Sequence, residues 1–402
     1  MNDARAAPER GSETVASAKG SLEDVLATAR RLAETVVRDE AERCDRDAVW
    51  PEASFKAVQQ RGLAGLVVPR ELGGHGLGLD AVAKVCEVFG RESASFGLCF
   101  GMHCVGTAVI AAKATPQQQQ DYLVPIAKGE HITTLALSEP GTGSHFYFPQ
   151  STMKETIDGY LLNGAKSFVT NGGHADSYVV SALTEVDRPE PGLFSCALVR
   201  ADAPGLIWGE PYEGMGMRGN AARSAALEDL QLPPEALLGG VGDQIWYVFN
   251  VVAPFFLMAM AGTYLGVANR ALDETIDHLQ GREYHHDGSR LGDVETLQHH
   301  LGTMWAQVDR TRALISRAAN AGDEGDPDAL PALCAAKAEV ADCAVDVVNQ
   351  AMTLMGGRTY RDGHLLGRLL RDARAAHVMA PTTDQLRIWT GRALLQVPLL
   401  GN

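Results

Sequence analysis

The stretch LALSEPGTGSH, at Leu135–His145, marks a change of local structure along the chain. Its apolar start is typical of a strand, and Ser138–Pro140 are residues that favour a turn. Gly141 and Gly143 follow, and glycine lets a backbone approach a ligand closely because it has no side chain. Taken alone, these residues predict a strand that ends in a turn.

The spacing of apolar residues differs on the two sides of this stretch. Before it, helical spacing begins at a capping box of Ser21 and Asp24. From residue 131, short apolar runs separated by Gly, Asn, Asp and Pro predict strands and tight turns, one of them at Asn163–Gly164. Helical spacing then returns in four long segments, at 243–281, 293–321, 330–355 and 365–396.

We therefore predict an α+β fold in three structured parts. The expected boundaries are a flexible N-terminal tail at 1–20, an N-terminal helical domain at 21–130, a middle β-sandwich or barrel domain at 131–241, and a C-terminal four-helix bundle at 242–402. Ile245–Ala268 carries no charge and is long enough to span a bilayer. Because Asn250 and Pro254 interrupt it and no second such segment is apparent, we predict a buried helix and no membrane span.

Composition excludes several classes of function. The net charge of −15 argues against a nucleic-acid-binding protein, since phosphate binding needs a basic surface. The seven cysteines form no Cys-x-x-Cys pair, which indicates reduced, buried thiols in a cytoplasmic protein. Residues 1–20 contain no apolar run of the kind that a secretory signal needs. His285–His286 and His299–His300 are adjacent pairs, which point apart on a helix, and we predict no metal site.

Two further motifs follow LALSEPGTGSH in order: LNGAKSFVTNGG at Leu162–Gly173 and MGGRTYRDGHLLGRLLRDAR at Met355–Arg374. Together they make residues 21–398 resemble the acyl-CoA dehydrogenase family. The resemblance implies a homo-oligomer, a tetramer or dimer, with FAD between the middle domain and the C-terminal helices. It also implies an acyl-CoA or acyl-carrier-protein substrate, and an electron acceptor that is either an electron-transfer flavoprotein or O₂.

The resemblance also implies site residues. Phe168 stands where the family usually has Trp over the flavin, and Thr170 follows where a hydroxyl can approach flavin N5. The implied FAD contacts are Leu137, Ser138, Gly143, Ser144, Phe168, Thr170, Arg282, Gly356, Gly357 and Thr382. The implied substrate contacts are Ser144, Phe255, Phe256 and Ala380.

The chain departs from the family at the general base. The usual Glu position is Ala380, and the alternative position on the first long C-terminal helix is Phe256; neither side chain can accept a proton. His145 replaces the Asp of the Gly-Ser-Asp motif and is the candidate for proton transfer, with surface packing as the alternative role. Other candidates are His103, His377 and Asp384.

Three other motif residues receive structural roles. We predict that Glu139 fixes its loop and that Arg371 and Asp372 form a structural ion pair.

Three functions remain open. The first is a FAD-dependent oxidoreductase on an acyl thioester, in specialised metabolism, with a non-standard or absent base. The second is a flavin-dependent monooxygenase of the same superfamily, for which neither base position is needed. The third is a non-catalytic paralogue that binds a partner chain.

Overall fold

The fold is described from a computed structural model, in which residues 20–185 and 193–400 are placed. The predicted N-terminal tail lies outside the described residues except for Gly20. The chain forms helices, then a mixed sheet, then helices again, which confirms the predicted α+β fold.

The N-terminal part consists of seven helices within residues 20–130. Their bounds are α1 Leu22–Leu32, α2 Arg38–Asp47, α3 Glu52–Gln60, α4 Leu79–Glu92, α5 Ala94–Lys113, α6 Pro116–Gln118 and α7 Val124–Lys128, with π-helical turns at Ala33–Val37 and Gln119–Leu123. The predicted capping box at α1 is confirmed: Asp24 N donates to Ser21 Oγ at 3.3 Å and Ser21 N donates to Asp24 Oδ2 at 2.9 Å. Helix α1 therefore starts where its local sequence satisfies the first free backbone N–H groups.

The middle part is one connected sheet among the described residues. The strands are β1 Thr133–Ala136, β2 Thr152–Thr156, β3 Gly159–Val169, β4 Ser177–Glu185, β5 Phe194–Arg200, β6 Leu206–Pro211, β7 Arg223–Leu232 and β8 Leu237–Leu238. They pair in the order β6-β7-β3-β2-β4-β5-β8, and β1 pairs parallel to β4. Strands β4 and β5 are almost wholly buried, so this half of the sheet forms the core of the middle part.

The predicted tight turn at Asn163–Gly164 is wrong. Both residues lie inside β3, where the register with β7 shifts between Leu162 and Gly164. Gly164 has a φ of 147°, and a Cβ at this position would lie 2.2 Å from Ser151 Oγ. The glycine is therefore needed for a bulge and a close approach within the strand, which local sequence cannot distinguish from a turn.

The C-terminal part is helical from Gln244. Its helices are α8 Gln244–Tyr247, α9 Ala253–Gly281, α10 Glu295–Asp323, α11 Ala329–Met355, α12 Leu365–Val378 and α13 Thr383–Leu394, with a π-helical turn at Val248–Val252. The predicted single segment at 365–396 is wrong, because Met379–Thr382 separates α12 from α13. Pro381 has no N–H to continue the first helix, and Thr382 Oγ1 accepts from Gln385 N at 3.3 Å to begin the second.

Helix α9 forms the centre of the molecule by packing on α4, α5, α10 and α11. Two helical segments, Ala94–Lys113 and Gln244–Gly281, are long and apolar enough to cross a membrane, but the fold buries 94% and 89% of their apolar windows. The expectation of a single such segment is wrong, since Ala94–Lys113 is a second one. Core helices of globular proteins pass the same test because they are apolar on all sides.

Candidate functional site

A cavity of about 670 Å³ lies between the end of β1, the end of β3, α5, α9 and the connector from α12 to α13. It brings together residues that are far apart in the chain. Nine of the sequence-predicted residues line it: Leu137, Ser138, Gly143, Ser144, Phe168, Thr170, Phe256, Ala380 and Thr382. Arg371 and Arg374 also line it, so the cavity brings together the first two motifs and the end of the third.

Five predicted site residues lie outside this lining. Arg282, Gly356 and Gly357 are exposed at the ends of α9 and α11. Phe255 is partly buried against the core, next to the cavity-lining Phe256. His145 is exposed, and its ring packs edge-on against Tyr147 at 5.8 Å between centroids.

The loop after β1 is held by a buried ion pair. Glu139 accepts from Lys166 Nζ at 2.5 Å, Gln150 N at 2.6 Å and Ser151 N at 3.1 Å. Burial alone would raise the pKa of Glu139, but the Lys166 ammonium and these hydrogen bonds bring it below its ordinary value. The carboxylate is thus ionised and occupied, which agrees with the predicted role of fixing the loop.

Lys166, which the sequence patterns did not single out, supports the site by binding Glu139. Its side chain is fully buried, and its Nζ also donates to Ser181 O at 2.5 Å. Burial lowers the pKa of Lys166, although the facing Glu139 offsets part of this effect. The available signal was a lysine inside a predicted strand, together with a glutamate in the preceding loop. A buried ammonium needs an anion, so the two could be expected to pair.

The end of β3 presents an aromatic face to the cavity. Phe168 has a φ of 53° and is 62% exposed, and its ring makes an edge contact with Tyr212 at 5.2 Å. A positive φ is costly for an aromatic residue and needs support from its surroundings. Three residues later, Asn171 anchors the turn after β3, since its side chain accepts from Trp50 Nε1 at 2.9 Å and donates to Cys99 O at 3.0 Å.

Polar groups on the cavity wall remain without partners. The hydroxyls of Ser138, Ser144 and Thr170 make no hydrogen bond to any residue in the described parts of the chain. Arg374 also lines the cavity; it is exposed and forms no ion pair with any residue in the described parts of the chain. These groups are available to a ligand with a polar edge and negative charge.

The four candidates for proton transfer do not line the cavity. His103 is fully buried, with Nε2 2.9 Å from Ala64 O and Nδ1 3.2 Å from Thr133 N, and burial lowers its pKa to about 4. His377 faces Asp342, and Asp384 is exposed. Glu139 is the one carboxylate in the described lining, and it is occupied by Lys166.

His145→Ala is expected to leave flavin reduction by a thioester within about threefold of wild type, since loss of a general base costs about 100-fold or more. The reason is the position of the ring, which is exposed and outside the cavity. The measurement is anaerobic stopped-flow bleaching, with the exposed His286→Ala as control. A loss of about 100-fold in His145→Ala alone would identify His145 as the base.

The predicted ion pair between Arg371 and Asp372 is wrong. Arg371 instead pairs with Asp45, with Nη1 2.9 Å from Oδ1, and also donates to Met215 O at 2.8 Å. Asp372 is buried on the other face of α12 and accepts from Met217 N at 2.6 Å. Adjacent helical residues point in different directions, so neighbours in sequence here hold two different parts of the cavity wall.

Burial raises the pKa of Asp372 to about 6, although the Met217 N–H favours the charged form. The folded state therefore holds this proton more tightly than the unfolded state, and the stability that Asp372 contributes falls as pH rises from about 4 to about 6. Across pH 4 to 7, we expect the free energy of unfolding of wild type to fall by about 2 kcal/mol relative to Asp372→Asn.

Urea unfolding at several pH values measures this difference. Asp47→Asn is the control, because its partner Arg46 lowers the pKa of Asp47. The difference in free energy of unfolding between wild type and Asp47→Asn should therefore change with pH in the opposite direction. A difference for Asp372→Asn that is independent of pH would contradict the prediction.

Comparison with known proteins supports one family along most of the chain. Its models match as "Acyl-CoA dehydrogenase, N-terminal domain" at residues 21–130, "middle domain" at 134–230 and "C-terminal domain" at 255–395. Cyclohex-1-ene-1-carbonyl-CoA dehydrogenase of Geobacter metallireducens is 30% identical over 92% of this chain and 99% of its own length.

Two solved structures share the fold. Butyryl-CoA dehydrogenase from Megasphaera elsdenii has a TM-score of 0.87 at 24% identity, covering 93% of this chain and 98% of its own. The prolyl acyl carrier protein oxidase AnaB has a TM-score of 0.82 at 22% identity, covering 94% and 99%. These two structures show the fold, and the three matched domain models with the relative at 30% identity show that the chain belongs to the acyl-CoA dehydrogenase family.

Proposed function

We propose that this chain is a FAD-dependent oxidoreductase that acts on the CH–CH bond of an acyl thioester, carried by CoA or a carrier protein, without a carboxylate base at the family's usual positions. The observation that carries the proposal is the cavity, whose lining contains both the predicted flavin-side residues and the apolar side chains of Phe256 and Ala380. A flavin oxidoreductase on acyl thioesters is the activity of the family. The missing base and a place in specialised metabolism are the specific parts of the proposal.

The residues present fit FAD at the cavity. The open face of Phe168 can cover a planar ring, and the free hydroxyls of Ser138 and Thr170 can bond a polar ring edge. Arg282, Gly356 and Gly357 are exposed elsewhere, so we propose that they reach the FAD of a second copy in a homo-oligomer. When bound, FAD supplies an acceptor for hydride from the acyl β-carbon.

The chain's own side chains would orient the substrate. Leu98, Met102 and Val252 form an apolar wall that can exclude water from an acyl chain. Ser144 offers a free hydroxyl on the loop that Glu139 and Lys166 hold in place. Since the described lining has no free carboxylate, we propose that the substrate's α-proton is already acidic or leaves through solvent.

A second candidate is a monooxygenase of the same superfamily, and the observation that favours it is the absence of a proton acceptor at Phe256 and Ala380. The third, a non-catalytic paralogue, rests on the same absence. A cytoplasmic location and an electron acceptor, whether an electron-transfer flavoprotein or O₂, are also proposals.

The visible absorption spectrum of the purified protein separates these functions. We expect FAD near one per chain, released and identified after denaturation, and bleaching under anaerobic conditions by at least one member of a panel of CoA thioesters. Bleaching by none of them, together with O₂ consumption on adding reduced flavin and an amine or aromatic substrate, would favour the monooxygenase. A protein that takes up neither oxidised nor reduced flavin would leave the non-catalytic paralogue.

A further inference from the structure

A lysine is buried inside α11, directly beneath the cavity-lining connector between α12 and α13. The side chain of Lys337 has no exposed surface. Its Nζ donates to Ala376 O at 2.7 Å, Pro381 O at 3.0 Å and Met379 O at 3.3 Å. Three carbonyl oxygens on one short stretch of backbone therefore share the three N–H donors of one ammonium.

These carbonyls need donors that the local backbone does not provide. Helix α12 ends at Val378, and the last carbonyls of a helix have no intrahelical partner. Pro381 contributes no N–H, and Thr382 already starts the next helix. The ammonium of a neighbouring helix thus satisfies a helix end that the chain cannot close by itself.

The position of this ammonium is costly. Lys337 forms no ion pair with any carboxylate in residues 20–185 and 193–400, and burial lowers its pKa to about 7. A Met or Leu would pack in α11 without this cost, since the neighbouring α11 positions Ala336 and Ala338 are buried and apolar. The three hydrogen bonds from Nζ to the carbonyl oxygens offset this cost of desolvation.

The connector that Lys337 holds forms one wall of the cavity. Met379, Ala380, Pro381 and Thr382 all line it, as do Phe168 and Ser138. Lys337 itself is not in the lining, so it can affect a ligand only through the connector.

We propose that Lys337 is a positioning residue: its ammonium, by binding the carbonyls of Ala376, Met379 and Pro381, sets the cavity wall that faces the acyl group. The part that concerns an acyl ligand rests on the function proposed above. The part that concerns the wall does not, because it is a property of the folded chain.

The test compares Lys337→Met with wild type and with Cys343→Ala. Cys343 is also buried in α11 but its Sγ faces Gln307 O on α10 at 3.8 Å, so this control weakens the helix packing away from the connector. Native-state hydrogen exchange is read at Met379, Gln385 and Leu386, whose N–H groups bond to Ala375 O, Thr382 Oγ1 and Thr382 O.

In Lys337→Met, we expect at least tenfold faster exchange at these three amides than in wild type, with the amides of α10 unchanged. Cys343→Ala should not show this local increase. Exchange that rises equally throughout the bundle, or not at all, would overturn the proposal. If Lys337→Met does not fold, Lys337→Arg decides: exchange within threefold of wild type supports the proposal, because the donors remain, and a tenfold increase overturns it.

The ligand part is measured with butyryl-CoA and isovaleryl-CoA as binding probes, because saturated thioesters should turn over slowly on a chain without the family's usual base. We expect at least a tenfold rise in the Kd of these thioesters for Lys337→Met, and wild-type values for Cys343→Ala. Equal losses of affinity in both variants would overturn the positioning role. If wild type binds neither thioester, the proposed function fails, while the exchange result still tests the position of the wall.

Discussion

Replacing Lys166 by Met is expected to lower the free energy of unfolding by about 3–5 kcal/mol, because removal of one partner leaves a buried charge uncompensated. The side chains of Lys166 and Glu139 are 0% and 3% exposed, and Lys166 Nζ lies 2.5 Å from Glu139 Oε1. Glu139 also holds Gln150 and Ser151, so the whole loop that carries Ser138 and Ser144 should loosen. We therefore expect the purified variant to retain much less FAD than wild type.

Urea unfolding and the ratio of flavin to protein absorbance measure the two effects. Lys56→Met is the matched control, because Lys56 pairs with Glu52 at 2.5 Å but both side chains are more than half exposed. An exposed pair of this kind contributes about 0–1 kcal/mol. A Lys166→Met protein as stable as Lys56→Met and equally rich in FAD would show that the loop does not depend on the buried pair.

Replacing Ala380 by Glu is expected to speed flavin reduction by a saturated acyl-CoA by about 100-fold or more, the usual contribution of a general base. Ala380 is partly buried and lines the same cavity as Phe168. A carboxylate at this place would face the acyl group and could accept its α-proton. The wild-type chain lacks this acceptor, so ordinary saturated thioesters should be poor substrates for it.

Ala380→Gln is the control, since it matches Glu in size but cannot accept a proton. Both variants are compared by anaerobic stopped-flow reduction with butyryl-CoA over a range of pH. The proposal of a missing base would be contradicted if wild type already reduced its flavin rapidly with this thioester and Ala380→Glu added nothing. Equal acceleration by Gln and Glu would indicate an effect of cavity shape.

Local sequence was sufficient for features that depend on neighbouring residues. The capping box of Ser21 and Asp24 is confirmed, because a helix start is satisfied within one turn. The three motifs were recognisable because each is a continuous stretch, and together they indicated the family. The sequence also shows that Ala380 has no side-chain proton acceptor, which is the basis for proposing that the usual base is missing.

Local patterns were misleading where a remote residue decided the structure. Gly164 is typical of a turn, but the approach of Ser151 places it in a bulge within β3. Arg371 and Asp372 are adjacent and of opposite charge, yet they do not pair. Arg371 binds Asp45, and Asp372 accepts from the backbone N–H of Met217. Charge and turn propensity are properties of a residue, whereas its partner depends on the packing of other elements.

The sequence by itself determined the α+β class, the family and the identity of the residues available for chemistry. Only the tertiary structure decided which of them share the cavity, that His145 lies outside its lining, and that Glu139 is already bound by Lys166. It alone placed the ammonium of Lys337 against carbonyls that are more than 35 residues away. Such contacts depend on how helices and strands pack in space, and no short-range pattern in the chain specifies that packing.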